Sequence, residues 1–337
     1  MYRQVKKIND IGRYIYIDGL IYGVKEEEEK RYFQELSLGV KVLWQSKENN
    51  VYDYYVNEEV IIFNLKNTEG TSKDLLIYDR KTKKIIFKGE MELYLFSSRF
   101  YDKNILYNIN KNRVLTFDIL KGGILQEKEM SLKGITAFFT YDYIVRYDDI
   151  YIYIYIKNDF SLLWQQNIQD FFPGEEIEIY SVHPYKNTFI VIAKMGIVCL
   201  SQKEGSLIWK VNSGARTMEI VGNLGYVCTG LSLYWVNLDT GEKYGYGRKY
   251  DRLPDFEYNG ETYWPAGYRV VYHKGLLWYE VYTSKHPFII AIDPETATYQ
   301  WIYEIKDTYE DIEEIRFYDN KMFVTDTGYN LFIYEEE

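Results

Sequence analysis

The sequence repeats one pattern along its whole length, and this repeat constrains the fold more than any other feature. An apolar run ends at a polar residue, a turn follows, and a second run closes on an aromatic residue, as in AIDPETATYQW from Ala291 to Trp301. The polar residue recurs at Glu35, Asp79, Asp118, Lys157, Ser201, Asn237, Asp293 and Glu335. The mean spacing of about 43 residues is the length of a four-stranded propeller blade, so the repeat predicts an all-β fold with a single β-propeller.

Each repeat contains further strand signals, and helix signals are nearly absent. Alternating runs rich in Tyr, Ile and Val precede each polar anchor, which gives four antiparallel strands per blade and one domain over residues 1–337. The predicted blades lie near 12–46, 51–90, 93–128, 134–168, 176–211, 216–248, 266–305 and 312–335. The last repeat lacks its fourth strand, and we expect residues 2–8 to supply it. The count is then eight blades, or seven if the repeat at Lys157 or Asn237 is miscounted.

The composition excludes several classes of partner. The 337 residues carry a net charge of −10, whereas nucleic acids and anionic membranes attract basic surfaces. The longest apolar run, Ile150 to Ile156, is far shorter than the roughly 18 residues of a transmembrane helix, and no signal peptide is visible. We therefore expect a cytoplasmic protein with no nucleic-acid partner and no membrane insertion. In that compartment Cys199 and Cys228 are predicted to be buried thiols, with a disulfide between them as the alternative.

The sequence predicts no catalytic residue, no metal site and no cofactor. His183, His273 and His286 lack the spacing of zinc ligands, and the first and last of them precede proline in turns. No nucleophile elbow is present, and the glycines of GEKYGYG, which begins at Gly241, fit a hairpin turn and not a phosphate loop. Carboxylates are so frequent that pairs suited to glycoside hydrolysis arise by chance.

The longest connection, residues 248–267, is the strongest candidate for a functional segment. Loops of this length in compact domains usually carry function, and its aromatic density argues against disorder. It joins the fourth strand of one blade to the first strand of the next, on the propeller face that also carries Glu26–Glu29, Asn67–Lys73, Asp170–Glu176 and Tyr282–Pro287. Aromatic anchors inside an acidic rim are typical of a protein-binding surface. The predicted partner-binding residues are Phe171, Phe172, Arg248, Arg252, Asp255, Phe256, Glu257, Tyr258, Tyr263 and Trp264.

The repeat also resembles that of a known family. The spacing of Ala291, Asp293, Thr296 and Trp301 is similar to the repeat of quinoprotein-like (PQQ-like and WD40-like) β-propellers. Weaker copies occur at Asp79, Thr82 and Phe87, and at Ser201, Gly205 and Trp209. In that family, enzymes hold a metal and a quinone in the central channel and many have adjacent cysteines. Cys199 and Cys228 are not adjacent in sequence, so the resemblance implies a non-enzymatic member without a cofactor.

These observations favour a non-enzymatic propeller that binds another protein through its loop face. A propeller without catalytic motifs serves most often as a rigid platform. The acidic charge predicts a basic partner, and the Lys-, Ile-, Asn- and Tyr-rich composition suggests a narrower hypothesis, a bacterial immunity protein that neutralises a toxin. The alternative is a carbohydrate-binding or glycan-active propeller with aromatic stacking and paired carboxylates. If the chain binds a protein through this loop, we expect Phe256 and Trp264 to be exposed and dispensable for stability.

Overall fold

A computed structural model describes residues 2–66, 73–90, 99–102, 105–110, 113–129, 132–134, 136–230, 232–245 and 253–337. The chain forms two compact units. The N-terminal unit comprises Ile8–Asp148 and Ile152–Leu163, and the C-terminal unit comprises Met1–Lys7, Asp149–Tyr151 and Trp164–Glu337.

The first half of the chain contains a leading strand and four sheets of four strands. The strands are β1 (Tyr2–Ile8); β2 (Ile11–Ile17), β3 (Leu20–Glu27), β4 (Lys30–Ser37) and β5 (Val42–Gln45) of blade 1; β6 (Val51–Val56), β7 (Val60–Lys66), β8 (Lys73–Asp79) and β9 (Ile85–Glu90) of blade 2; β10 (Arg99–Asp102), β11 (Ile105–Asn110), β12 (Arg113–Asp118) and β13 (Gly123–Glu129) of blade 3; and β14 (Thr136–Phe139), β15 (Tyr143–Tyr147), β16 (Tyr151–Ile156) and β17 (Leu162–Asn167) of blade 4.

The second half repeats this arrangement after a 3₁₀ turn at Ile168–Phe171. Its strands are β18 (Ile179–Tyr185), β19 (Thr188–Ala193), β20 (Gly196–Ser201) and β21 (Leu207–Val211) of blade 5; β22 (Thr217–Val221), β23 (Leu224–Cys228), β24 (Leu233–Asn237) and β25 (Lys243–Tyr244) of blade 6; the hairpin β26 (Phe256–Tyr258) and β27 (Glu261–Tyr263); β28 (Val270–His273), β29 (Leu276–Val281), β30 (Phe288–Ile292) and β31 (Tyr299–Glu304) of blade 7; and β32 (Ile312–Tyr318), β33 (Lys321–Asp326) and β34 (Leu331–Glu336) of blade 8.

Strand β1 completes the last blade. The sheet order there is β1-β34-β33-β32, so the first strand of the chain is the fourth strand of blade 8. Over the described residues the strands give eight sheets of four strands, with the two-stranded hairpin β26–β27 as an addition. The prediction of an eight-bladed β-propeller that is closed by the N-terminal strand is therefore confirmed.

The polar anchor of the repeat has a local structural reason. In blade 7 the Asp293 carboxylate follows the third strand and accepts hydrogen bonds from the backbone N–H groups of Glu295 (2.8 Å) and Thr296 (3.1 Å). In blade 2 Asp79 accepts from the N–H (2.7 Å) and hydroxyl (2.8 Å) of Thr82. Side chains of Asp and Asn satisfy turn amides in this way, which explains why the repeat places them where the third strand ends.

The core lies between neighbouring sheets, as the two-sidedly apolar strands predict. In the N-terminal unit, Phe33 of blade 1 packs on Phe63 (ring centroids 4.7 Å apart) and Tyr54 (5.0 Å) of blade 2. All three side chains are buried. Tyrosine and phenylalanine therefore serve as packing between blades, where large rings contribute much of the buried apolar area.

Two smaller expectations concern cysteine and membrane-spanning segments. Cys199 and Cys228 are buried free thiols, as predicted. No helix in the described part of the chain is long and apolar enough to cross a membrane.

Candidate functional site

One face of the C-terminal unit carries the connections from second to third strands and from fourth to first strands in blades 6 to 8. Four aromatic side chains on these connections are largely exposed: Trp264 (50%), Tyr268 (39%), Tyr309 (79%) and Tyr329 (63%). We call these four residues the aromatic surface. Large exposed rings on loops, set among polar residues, mark candidate interaction sites.

Tyr309 is held by a hydrogen-bonded loop. The buried carboxylate of Asp326 accepts from the Thr308 hydroxyl (2.7 Å). The Thr308 carbonyl in turn accepts from Nδ1 of His286 (2.7 Å), whose ring lies 4.4 Å from that of Tyr309. Because Asp326 and His286 belong to two other parts of the chain and both bind Thr308, the segment that presents Tyr309 is fixed from two sides. An exposed ring on a preorganised loop loses little entropy on binding.

Tyr329 occupies an unusual backbone conformation beside this loop. Its φ is +61°, and its N–H donates to the carbonyl of Asp326 (3.2 Å). The same turn is tied to the Tyr309 loop, because the Thr327 hydroxyl donates to a carboxylate oxygen of Glu310 (3.0 Å). Thirteen non-glycine residues of the described chain have positive φ, and at Tyr329 this conformation forms part of the turn that presents the ring.

The Tyr268 ring packs against another tyrosine and contacts an arginine. Its ring lies 5.4 Å from that of Tyr282, and the Arg216 guanidinium carbon lies 4.1 Å from the Tyr268 centroid. The backbone N–H groups of Tyr268 (3.0 Å) and Arg269 (2.6 Å) both donate to Glu280, which is 2% exposed. The Arg216 contact shows that a ring of this surface accepts a guanidinium group on its face.

Burial raises the pKa of Glu280 to about 7, against an ordinary value of 4.5. Between these two values the unfolded chain releases a proton that the folded chain keeps, so stability falls as pH rises from about 4.5 through 7, by roughly 3 kcal/mol. Glu280→Gln removes this titration. We expect urea unfolding at pH 5 and pH 8 to show that the variant gains stability relative to wild type as pH rises. Glu257→Gln, at an exposed position of strand β26, is the control, and parallel pH profiles for Glu280→Gln and wild type would contradict the assignment.

Acidic side chains surround the aromatic surface. Asp255, Glu257, Asp307, Asp311 and Glu313 are exposed on the same connections or at the start of β32. Among the basic groups there, Lys285 pairs with Glu261 (3.1 Å). The acidic excess gives this face a negative potential, which attracts a positively charged partner.

Segment 248–267 is partly ordered as a hairpin. Asn259 (φ +52°) and Gly260 (φ +80°) form the two-residue turn between β26 and β27. This is the Asn-Gly turn most favoured in hairpins because both residues tolerate positive φ. The Asn-Gly dipeptide is therefore the sequence signal for this hairpin.

The predicted site residues separate into three groups. Asp255, Glu257 and Trp264 are exposed, whereas Phe171, Tyr258 and Tyr263 are half-buried. The expectation of exposure is wrong for Phe172 (5% exposed) and Phe256 (3%). The Phe172 ring lies against Gly196, and Phe256 lies in the core of blade 7. Arg248 and Arg252, like residues 67–72, lie outside the described residues.

Sequence reasoning did not select Tyr268, Tyr309 or Tyr329. Tyr309 and Tyr329 stand singly in short connections, so neither loop length nor aromatic density marks them, and Tyr268 lies one position beyond the end of segment 248–267. Over the described residues, no group of three or more His, Cys, Asp or Glu side chains is arranged to hold a metal ion. The binding role of the predicted residues stays a prediction.

Comparison with known proteins agrees with this architecture. No protein-family model and no curated protein sequence matches the chain. Among solved structures, the chain is similar to BamB from Moraxella catarrhalis, with a TM-score of 0.64 and 9% identity over 100% of both chains. It is also similar to Saccharomyces cerevisiae Sqt1, with a TM-score of 0.68 and 6% identity over 99% of this chain and 98% of that one. At these identities the likeness shows the fold alone, and that fold is the β-propeller.

Proposed function

We propose that this chain is a non-enzymatic, protein-binding propeller of the quinoprotein-like type, and that its aromatic surface binds a basic partner. The observation that carries the proposal is Tyr309, which is 79% exposed while its loop is fixed by the buried Asp326 and by His286. Exposed rings that are rigidly presented and lie within an acidic rim have the chemistry of an interaction hot spot. The structural relatives support the proposal only through their fold.

The proposal has a narrower form, in which the chain is a cytoplasmic bacterial immunity protein and the partner is a basic toxin. Charge supports it, since the chain carries −10 and the rim of the aromatic surface is acidic. The test is to mix the purified chain with the product of the neighbouring gene at micromolar concentration. Absence of a complex overturns this narrower form and leaves the protein-binding proposal to the next experiment.

We expect Tyr309→Ala and Trp264→Ala to weaken partner binding about tenfold or more each, since a hot-spot ring contributes about 2 kcal/mol or more. Affinity capture from extracts of the source organism, followed by titration with the purified captured protein, measures the effect. Tyr141→Ala is the matched control, because Tyr141 is equally exposed (78%) but lies in the turn between β14 and β15 of the N-terminal unit. Raised salt is expected to weaken the wild-type complex.

A captured protein that binds the Tyr309→Ala and Tyr141→Ala variants equally would place the interface elsewhere.

The carbohydrate alternative needs an accessible carboxylate of raised pKa. Glu280 has a raised pKa, but it is 2% exposed, and one carboxylate oxygen already accepts from two backbone amides. Glu280 therefore supports the Tyr268 segment and is unsuited to proton transfer to a bound sugar.

A further inference from the structure

Two exposed tyrosines of the aromatic surface lie in segments that are joined through one glutamate. Tyr309 precedes Glu310 in the chain, and Tyr329 lies in the turn between β33 and β34. The Thr327 hydroxyl of that turn donates to Glu310 Oε2 (3.0 Å), and a Cβ built on Gly328 would come within 2.9 Å of Glu310 Cγ. The Glu310 side chain therefore lies against the turn that presents Tyr329.

The Glu310 carboxylate is accessible, and its orientation is set by the Thr327 hydroxyl. Glu310 and its neighbour Asp311 are both exposed, and neither forms an ion pair within the described part of the chain. The Asp311 carbonyl accepts from the Thr327 N–H (2.9 Å), so both acidic residues are tied to the same turn. Two carboxylates held in this way offer acceptors to one cationic group.

Two lysines at this segment contact other groups. Lys306 lies beside Glu304 (3.8 Å), and Lys7 donates to the carbonyl of Asp307 (2.8 Å). The negative charge around Tyr309 is therefore left for a partner to compensate, and a positively charged side chain of that partner is attracted to it.

The chain itself combines arginine with tyrosine and a carboxylate. In the N-terminal unit, the Arg80 guanidinium carbon lies 5.8 Å from the Tyr22 centroid, and Arg80 Nη1 donates to the Tyr22 hydroxyl (3.3 Å). Arg80 Nη2 donates to the carboxylate of Asp18. In the C-terminal unit, the Arg216 guanidinium carbon lies 4.1 Å from the Tyr268 centroid, so one ring of the aromatic surface already carries an arginine. Both contacts are cation–π interactions.

Tyr309 and Tyr329 supply the rings for a similar arrangement, and Glu310 supplies the carboxylate, but no cation of the described residues lies over either ring. A guanidinium group is planar, so it stacks on a tyrosine ring with its face and pairs with a carboxylate through its edge. An ammonium group is compact and more strongly hydrated, and it cannot make both contacts in this way. A ring beside a fixed carboxylate therefore favours arginine over lysine.

We propose that the basic partner inserts an arginine at this position, with the face of the guanidinium group on the Tyr309 ring and its edge on Glu310 and Asp311. Tyr329 borders the same position from its turn. The arginine assignment rests on the proposed protein-binding function, and it adds the side chain that the partner supplies and the carboxylates that hold it.

The test is calorimetric titration of the full chain, at low salt, with three glycine-serine peptides that differ only at a few repeated positions. These positions hold arginine, lysine or citrulline, the uncharged isostere of arginine. We expect submillimolar binding of the arginine peptide, at least about fivefold weaker binding of the lysine peptide, and no binding of the citrulline peptide at millimolar concentration. Equal affinities for the arginine and lysine peptides overturn the arginine assignment, and so does the absence of arginine-peptide binding.

Two variants locate the bound arginine. Glu310→Gln removes the carboxylate charge and keeps the size of the side chain, whereas Tyr309→Leu removes the ring face and keeps an apolar side chain. Each is expected to weaken binding of the arginine peptide about fivefold to tenfold. Glu295→Gln is the matched control, because Glu295 is exposed in the turn between β30 and β31, at the end of blade 7 opposite to the aromatic surface. Equal affinities of the Glu310→Gln and Glu295→Gln variants overturn the assignment.

Titration with the captured partner separates the arginine assignment from the proposed function. If Tyr309→Ala weakens the complex and Glu310→Gln does not, the aromatic surface binds a protein without this arginine, and only the assignment is overturned. If neither variant weakens the complex, the interface lies elsewhere and the proposed function fails as well. The assignment is supported if both variants weaken the complex and if replacement of one arginine of the partner by lysine does the same.

Discussion

Phe256→Ala is expected to destabilise the protein by about 3–5 kcal/mol, the cost of truncating a fully buried aromatic side chain. Phe256 is 3% exposed, and its ring lies 5.5 Å from each of the rings of Tyr263, Phe288 and Tyr299. Phe288 and Tyr299 belong to strands β30 and β31 of blade 7, so the hairpin β26–β27 is packed on that blade. Urea unfolding followed by tryptophan fluorescence measures the loss.

Trp264→Ala is the matched control, because Trp264 follows the same hairpin but is half exposed. We expect a loss below about 1 kcal/mol for this variant, as for most exposed positions. From the sequence, both rings were expected to be exposed and dispensable for stability; the structure reverses this for Phe256 and keeps it for Trp264. Equal stability losses for the two variants would show that the hairpin does not pack on blade 7 through Phe256.

Removal of residues 1–8 is expected to lower the thermal midpoint by about 10 °C or more, or to prevent folding. The deletion takes away the fourth strand of blade 8 and leaves β34 as an unpaired edge. It also removes Tyr2, which is 6% exposed and lies 5.3 Å from the Trp278 ring and 5.8 Å from the Phe317 ring. Differential scanning calorimetry measures the midpoint.

Point variants keep this prediction testable if the deletion does not fold. Tyr2→Ala loses the ring contacts and the hydrogen bond between the Tyr2 hydroxyl and Nε2 of His273 (3.2 Å), so we expect about 3–5 kcal/mol of destabilisation. Lys6→Ala, at an exposed position of the same strand, is expected to change stability by less than about 0.5 kcal/mol. If Tyr2→Ala is as stable as Lys6→Ala, the closing strand contributes pairing alone and not packing.

Local chemistry explains what could be predicted of the fold. The side chains of Asp79 and Asp293 bond the amides of their own turns, so the polar anchor of the repeat depends on residues no more than three positions away. Strand alternation is similarly local. Closure by β1 was predicted by counting strands, since the last repeat has only three and residues 2–8 belong to no other repeat. The Asn259-Gly260 hairpin was equally local and could have been predicted from its dipeptide.

The candidate site was harder to predict from the sequence, because the exposure of a side chain depends on what packs against its loop. Phe256 and Trp264 are eight residues apart in one aromatic segment, yet the first faces Phe288 and Tyr299 and the second faces solvent. Tyr309 stands alone among polar residues, and its importance comes from Asp326 and His286, which are distant in sequence.

The sequence by itself determined the fold class, the turns that the polar anchors stabilise and the origin of the last strand, because these follow from short-range periodicity and turn chemistry. It predicted eight blades with seven as the alternative, and the structure decided for eight. Only the tertiary structure decided which loop aromatics are core and which form a surface. Burial depends on contacts between segments that are far apart in the chain, so a local sequence pattern does not determine it.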